Sequence, residues 1–219
     1  MIKIIIVVFI ALLSASPAVA SYDDIYPYVG VTLGSALTSV NKLSDTSGSL
    51  DTEFNPGFMV GGVAGIAIKT NYSANIERIS VEAEVGYRSN SLDKMKSTNG
   101  LSAEMDGSFS VTNYMLNLNI ENSTLLSNTL PMRLFITAGV GAAVASIDSI
   151  FYQGSLLIKS AKDTQFAYQG GLGVGFDVTQ SVSLETKYRY LGTSSFKFDG
   201  VNAEYGSHNI LFGVRYAFK

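Results

Sequence analysis

The sequence predicts an all-β fold: an eight-stranded antiparallel up-and-down transmembrane β-barrel preceded by a cleaved signal peptide. Three observations carry the prediction. Segments of strand length alternate apolar and polar residues with period two, the length a tilted strand of about 9–11 residues needs to cross a bilayer. The polar face of these segments is charged in mid-strand and otherwise small. The connections between them alternate between long and short.

The pattern is plainest in Val182–Tyr190. Val182, Leu184, Thr186, Tyr188 and Tyr190 share one face, while Ser183, Glu185, Lys187 and Arg189 share the other. Successive side chains of a strand point to opposite faces, so one face is apolar and aromatic and the other carries mixed charge. In a soluble sheet the apolar face would pack on a core. In a membrane barrel it meets lipid, and the polar face lines the interior.

Taken in order, residues 1–20 form a unit of their own: Lys3, an apolar run from Ile4 to Leu13, then the small residues Ala18-Val19-Ala20. These are the parts of a secretory signal peptide, with cleavage expected after Ala20 and a barrel domain over 21–219. The apolar run is roughly half of the ~20 residues a membrane-spanning helix needs, which argues against a retained anchor. No cysteine follows the small residues, so a lipoprotein anchor is excluded.

The chain carries 15 basic and 18 acidic residues, a formal charge of −3; loss of Lys3 leaves 14 against 18. No basic face dominates, so nucleic acid is not an expected partner. With no cysteine at all, a disulfide-stapled fold and a thiolate metal site are both excluded. No metal, catalytic or cofactor site is expected.

Eight strands are predicted: Tyr26–Leu37, Gly57–Ile68, Ile79–Asn90, Phe109–Glu121, Met132–Ala145, Thr164–Phe176, Val182–Ser194 and Ser207–Phe218. The third sets Ile79, Val81, Ala83, Val85 and Tyr87 against Ser80, Glu82, Glu84, Gly86 and Arg88. The fifth sets Leu134, Ile136, Ala138, Val140 and Val144 against Arg133, Thr137, Gly139 and Gly141. The eighth sets Ile210, Phe212, Val214, Tyr216 and Phe218 against Asn209, Leu211, Gly213, Arg215 and Ala217. The second and sixth strands are rich in glycine, which in a narrow barrel leaves room for large interior side chains opposite. The fourth is irregular: Phe109 and Val111 share one parity, Tyr114, Leu116, Leu118 and Ile120 the other. A β-bulge near Asn113, or a later strand start, is the expectation there.

Residues 38–56, 91–108, 146–163 and 195–206 are long connections; 69–78, 122–131 and 177–181 are shorter. This is the asymmetry of outer-membrane barrels, and an even strand count puts both termini on the short-turn, periplasmic side. Phe166, Tyr168, Phe176, Tyr188, Tyr190, Tyr216 and Phe218 stand near strand ends on the apolar face, where interfacial aromatic girdles form. The competing reading is a soluble lipocalin-like barrel with its apolar face inward around a lipid.

The run Tyr168-Gln169-Gly170-Gly171-Leu172-Gly173-Val174-Gly175, then Ser181-Val182-Ser183-Leu184 and Tyr188-Arg189-Tyr190-Leu191-Gly192, resembles the late strands of opacity-type surface antigens. These are relatives of the transmembrane domain of outer-membrane protein A. Ala138-Gly139-Val140-Gly141-Ala142 matches the fifth strand of that family. Gly213-Val214-Arg215-Tyr216-Ala217-Phe218 resembles the terminal sorting signal read by the barrel-insertion machinery, with Gly213, Tyr216 and Phe218 in the matching positions. Here Lys219 follows the aromatic, and Leu211 stands where a polar residue is usual. The resemblance implies a Gram-negative outer membrane and roles in envelope structure, adhesion or immune exposure. It supplies no catalytic residues.

The leading functional expectation is therefore a monomeric surface barrel whose loops make contact, with outer-membrane lipid, the insertion machinery and a host-surface ligand as partners. Ile150, Phe151, Tyr152, Leu156 and Leu157 are the candidate contact residues, set against simple packing on one another. Phe196, Phe198 and Tyr205 carry the same ambiguity. The alternatives are a small gated pore and a lipid-acting enzyme. The enzyme would use His208 with Ser194, Ser195 or Ser207, although an interfacial histidine at the rim is the simpler reading. Inside, Glu82, Glu84, Arg88, Arg133, Glu185, Lys187, Arg189 and Arg215 are expected to form a charge network. Glu185 should pair with Arg215, and Glu82 or Glu84 should reach Lys187 or Arg189. A water-filled lumen that screens each charge is the alternative.

Overall fold

The structure is a computed structural model describing residues 24–45, 48–54, 56–73, 76–97, 102–104, 108–122, 132–147, 150–152, 155–158, 160–198 and 201–218. Residues 1–23, which hold the expected signal peptide, lie outside it, as does Lys219. Eight long strands form the barrel: β1 (Ile25–Asp45), β2 (Gly57–Ser73), β3 (Ile76–Ser97), β4 (Ser108–Asn122), β5 (Met132–Ile147), β6 (Ala161–Asp177), β7 (Val182–Thr193) and β8 (Val201–Ala217). Each pairs antiparallel with its chain neighbour. β1 closes the ring on β8, with Tyr28 opposite Ala217 and an unbroken register to Val40 opposite Tyr205. Closure leaves no strand edge at membrane depth, where lipid offers no hydrogen bond in exchange.

The faces are inverted relative to a soluble protein. Leu33 is 63% exposed, Leu116 and Ile136 58%, while Glu84 is 3% exposed and Arg189 1%. A continuous band of outward apolar residues includes Val31, Val60, Ile66, Val81, Leu118, Val140, Leu172, Leu184, Phe212 and Val214. Soluble monomers rarely expose such a belt. The lipocalin-like reading fails on the same observation, because the apolar face points out and charges fill the inside. The outward aromatics Phe166, Tyr168, Tyr188, Phe176 and Tyr216 lie toward the two ends of the band. Phe58 and Tyr87 pack at 6.0 Å and add to the girdle on the long-connection side. Tyr216 meets Phe218 edge-on at 5.0 Å near the termini.

Interior glycines accept large partners. A Cβ on Gly65 would sit 2.6 Å from Tyr28 Cζ, and one on Gly175 2.7 Å from Arg133 Cζ. Each side chain lies over the bare backbone of the neighbouring strand and so reaches the strand beyond it, Tyr28 to Glu82 and Arg133 to Glu185.

Two expectations are corrected. β4 contains no bulge: its register with β3 and β5 runs unbroken through Asn113, which pairs with Gly86 and Ala143. Phe109, Val111, Asn113, Met115, Asn117, Asn119 and Glu121 form one inward face. The parity change that suggested a bulge is a change of interior chemistry, from apolar at the long-connection end to polar below it. Second, the long connections are in part strand. Gly48–Phe54 pairs with the ends of both β1 and β3, Ser102–Glu104 with β3, and Phe196–Phe198 with β8. Apolar alternation stops where lipid stops, but the hydrogen-bond ladder continues into water. The short connection 69–78 likewise shrinks, because strand continues to Ser73 and resumes at Ile76.

A closed ladder of this kind resists detergent until heated. Unboiled protein should migrate faster than boiled protein on a denaturing gel, with a strand-dominated circular dichroism spectrum; equal migration of a refolded sample would contradict closure.

Candidate functional site: the filled lumen

The inward faces of the eight strands build three layers. Nearest the termini lies an ion network centred on Glu121 of β4 and Arg133 of β5. Glu121 Oε2 sits 2.9 Å from Arg78 Nη1 and 2.9 Å from Arg133 Nε, and its Oε1 accepts from Arg215 Nη1 at 2.7 Å. Arg133 donates through Nη2 to Glu185 at 2.8 Å and through Nη1 to Asp177. Arg215 Nε lies 2.9 Å from Glu185. The Arg215 guanidinium also lies 4.4 Å from the centre of the Tyr28 ring, a cation–π contact in a desolvated setting. Glu77, Arg78, Glu121, Arg133 and Asp177 line a shallow cleft at this end.

The second layer surrounds Glu82 and Glu84 of β3. Glu84 forms an ion pair with Arg189 across the lumen and accepts from Asn117 at 2.9 Å and Gln169 at 3.2 Å. Glu82 has no ion pair among the described residues; Tyr28 Oη donates to it at 3.0 Å and Asn117 Nδ2 at 3.1 Å. Lys187 stands 3.8 Å from Glu185 on its own strand, a long contact. Arg88 donates to Asn209 at 3.1 Å and to Asn113.

The third layer, at the long-connection end, is apolar: Phe109, Val111, Met115, Ala143, Ala145, Ala167, Leu191, Phe196 and Tyr205 form one buried cluster. Phe109 and Tyr205 pack ring on ring at 5.5 Å. Phe196 is fully buried although it follows the end of β7. Its segment is pinned by Ser194 N donating to Phe166 O at 2.9 Å and Lys197 N donating to Asp163 at 2.7 Å. Phe196 and Tyr205, weighed above as surface-contact residues, therefore form part of an internal cork.

The expected network residues are brought together unevenly. Glu185 meets Arg215, and Glu84 meets Arg189 rather than Lys187. Arg133 proves to be a junction, and Arg88 has only amide partners. The sequence reading missed Glu121, Asp177 and Arg78. The signal for Glu121 was available: it shares the parity of Phe109 and Val111, and a straight β4 places it inside. Gly213 faces inward, where an added Cβ would meet Thr32. Tyr216 faces outward, and Phe218 N donates to Pro27 O at 2.9 Å. Ile150, Phe151 and Tyr152 belong to a short strand that pairs with Ser155–Ile158 in a hairpin separate from the barrel sheet; the side chains there lie outside the described residues.

His208 is on the outer face, as its parity indicated. Its Nδ1 lies 2.6 Å from Tyr188 Oη, and its ring packs 5.0 Å from Tyr190. Ser207 turns inward and donates to Asn209 at 3.2 Å, so it cannot serve His208. Among the described residues no group of acids and histidines could hold a metal ion.

The model of the outer membrane protein beta-barrel domain matches residues 5–218. The chain belongs to this family. It is an outer-membrane barrel. No curated protein sequence matches it. Among solved structures, the Neisserial surface protein A (NspA) is 22% identical over 88% of this chain and 97% of its own, with a TM-score of 0.50. A major outer membrane protein of Thermus thermophilus is 12% identical over 88% and 99%, at 0.52. The outer membrane protease OmpT of Escherichia coli is 9% identical over 93% and 100%, at 0.53. These likenesses show the shared barrel fold.

Removing one partner of a buried ion cluster leaves the others uncompensated, at a cost of about 3–5 kcal/mol. Glu121→Gln leaves Arg78 without its ion-pair partner and takes one of the partners of Arg133 and of Arg215, and should lower stability by that order in urea unfolding of the refolded barrel. Glu84→Ala and Arg189→Ala should each destabilise, and the double variant should lose less than their sum; Lys187→Ala, with only a long contact, should cost less than Arg189→Ala.

Proposed function

We propose that this outer-membrane barrel is a closed, non-conducting envelope protein that acts by contact at its long connections, with both termini periplasmic and those connections extracellular. The observation that carries the reading is the filled lumen. Two ion layers and an apolar cork occupy the space that a channel would need, and eight strands enclose only enough room for side chains. What remains available for function is the loop end, where strands outgrow the lipid band and the Gly48–Phe54 and Ser102–Glu104 segments extend the wall. Outer-membrane lipid is the partner of the apolar belt. The insertion machinery reads the strand that bears Gly213, Tyr216 and Phe218, and a host-surface ligand is the partner of the loops. The barrel works as a monomer and is not an enzyme. In support, His208 is engaged by Tyr188 on the lipid side and has no acid and no aligned serine among the described residues.

A gated pore is the second reading, favoured by one feature: the cork includes Phe196, delivered by a short segment rather than by the barrel wall.

Binding of refolded protein to host cells should fall when the long connections are trimmed, while the barrel stays folded. Deleting residues 149–160 removes the separate hairpin and should leave heat-modifiable migration intact, since doubling or halving a loop changes closure cost by only about 0.6 kcal/mol. Unchanged cell binding in that deletion would move the contact surface to the other loops. In planar bilayers the wild-type protein should pass no steady current; a current that appears only in Phe196→Ala would favour the gated reading.

A further inference from the structure

Arg88 lies at the boundary between the polar lumen and the cork, and it is 0% exposed. Its Nε donates to Asn209 Oδ1 at 3.1 Å and its Nη1 to Asn113 Oδ1. Among the described residues no carboxylate pairs with it, and its Nη2 has no hydrogen-bond acceptor. Two neighbouring donors share that condition. Asn113 Nδ2, on the amide that receives Arg88, has no partner, and neither does Tyr205 Oη. Asn113 is fully buried and Tyr205 is 3% exposed. Tyr205 packs on Phe109, one pleat above Val111, and Val111 pairs directly with Arg88; the Tyr205 hydroxyl lies within Coulomb reach of the guanidinium, as does the Glu84 carboxylate, which is itself paired with Arg189.

The charge balance points the same way. In the layer nearest the termini, Arg78, Arg133 and Arg215 face Glu121, Glu185 and Asp177, and the charges cancel. In the layer above, Arg88, Lys187 and Arg189 outnumber Glu82 and Glu84, and Lys187 has only a long contact of 3.8 Å to Glu185, which already pairs with Arg133 and Arg215. One positive charge is left over, and it lies where three buried donors lack acceptors. Burying a charge without a counter-charge is costly, and a buried donor without an acceptor adds to that cost.

We infer that Arg88, Asn113 and Tyr205 form a binding site for one small monovalent anion of the halide class, held inside the barrel beneath the apolar cork. A halide accepts several N–H and O–H donors at once and supplies the missing negative charge. A water molecule would supply acceptors but leave the charge unbalanced. The site is a structural one: the anion completes the interior rather than passing through it, so it stands independently of whether the loops bind a partner.

The test compares urea unfolding of the refolded, full barrel in sodium chloride, sodium bromide and sodium gluconate at equal ionic strength. Gluconate is too large to enter. A ligand bound only to the folded state, at about ten times its dissociation constant, lowers the unfolding constant roughly tenfold, so both halides should do this relative to gluconate. Asn113→Asp places a carboxylate beside the guanidinium and should abolish the halide dependence; Tyr205→Phe should weaken it. Equal unfolding in halide and gluconate, or an Asn113→Asp barrel that keeps the full dependence, would overturn the site. Should a variant fail to fold, crystals of wild-type protein grown in bromide decide the matter: an anomalous peak beside Arg88 supports the site, and its absence from that position refutes it.

Discussion

The hydrogen-bond ladder between β1 and β8 is the constraint on which everything else rests. In lipid a strand cannot end at an open edge, because each unpaired N–H or C=O there costs several kcal/mol. Once Tyr28 is opposite Ala217 and Val40 opposite Tyr205, each strand of the barrel has two neighbours and the wall has a fixed circumference. That circumference sets the interior volume, and the interior volume sets which side chains fit. Glycines at 65 and 175 and long side chains at 28 and 133 follow as complementary solutions to one packing problem in a narrow tube.

The interior divides according to what each end faces. Near the termini the lumen is packed with ion pairs; most join neighbouring strands, while Arg133–Glu185 and above all Arg215–Glu121 join strands that are not neighbours in the wall, so those two depend on closure and reinforce it. At the other end the filling changes to aromatic and aliphatic side chains, assembled from β4, β5, β6, β7, β8 and the Phe196 segment. The apolar layer excludes water from above, which raises the cost of any unmatched charge beneath it. The Arg88 region lies at that junction, and it is the place where wall, cork and electrostatics make competing demands.

How far the sequence could be read follows from the same physics. Strand number, order and facing were legible because lipid imposes apolar residues on most outward positions, as in Ile79, Val81 and Val85 or Ile210, Phe212 and Val214. The pairing of Glu185 with Arg215 was legible because the two strands are adjacent and antiparallel, and counting along them sets the two residues at nearly the same height. The Glu84–Arg189 contact crosses the lumen and was legible only as one of several options. Strand ends beyond the apolar band were not legible, since the period-two alternation of the sequence disappears there, as at Thr38-Ser39-Val40. The fourth strand misled for a specific reason: Phe109 and Val111 are apolar and inward, and a reading that equates apolar with lipid-facing must break the strand to accommodate them. That same break hid Glu121.

Arg133 belongs to β5 and holds groups on β4, at the end of β6 and on β7, while Arg215 of β8 reaches β4 on the far side of the ring. Such struts act in the plane of the membrane, as spokes act in a wheel. A thin-walled tube under uneven lateral pressure flattens into an ellipse before its wall fails, and a flattened barrel would shear the contacts that carry its loops. Spokes anchored at several points on the rim keep the cross-section round. The end nearest the termini is thereby the stiff end of the molecule, and shape changes in the loops are borne by a base that does not deform with them.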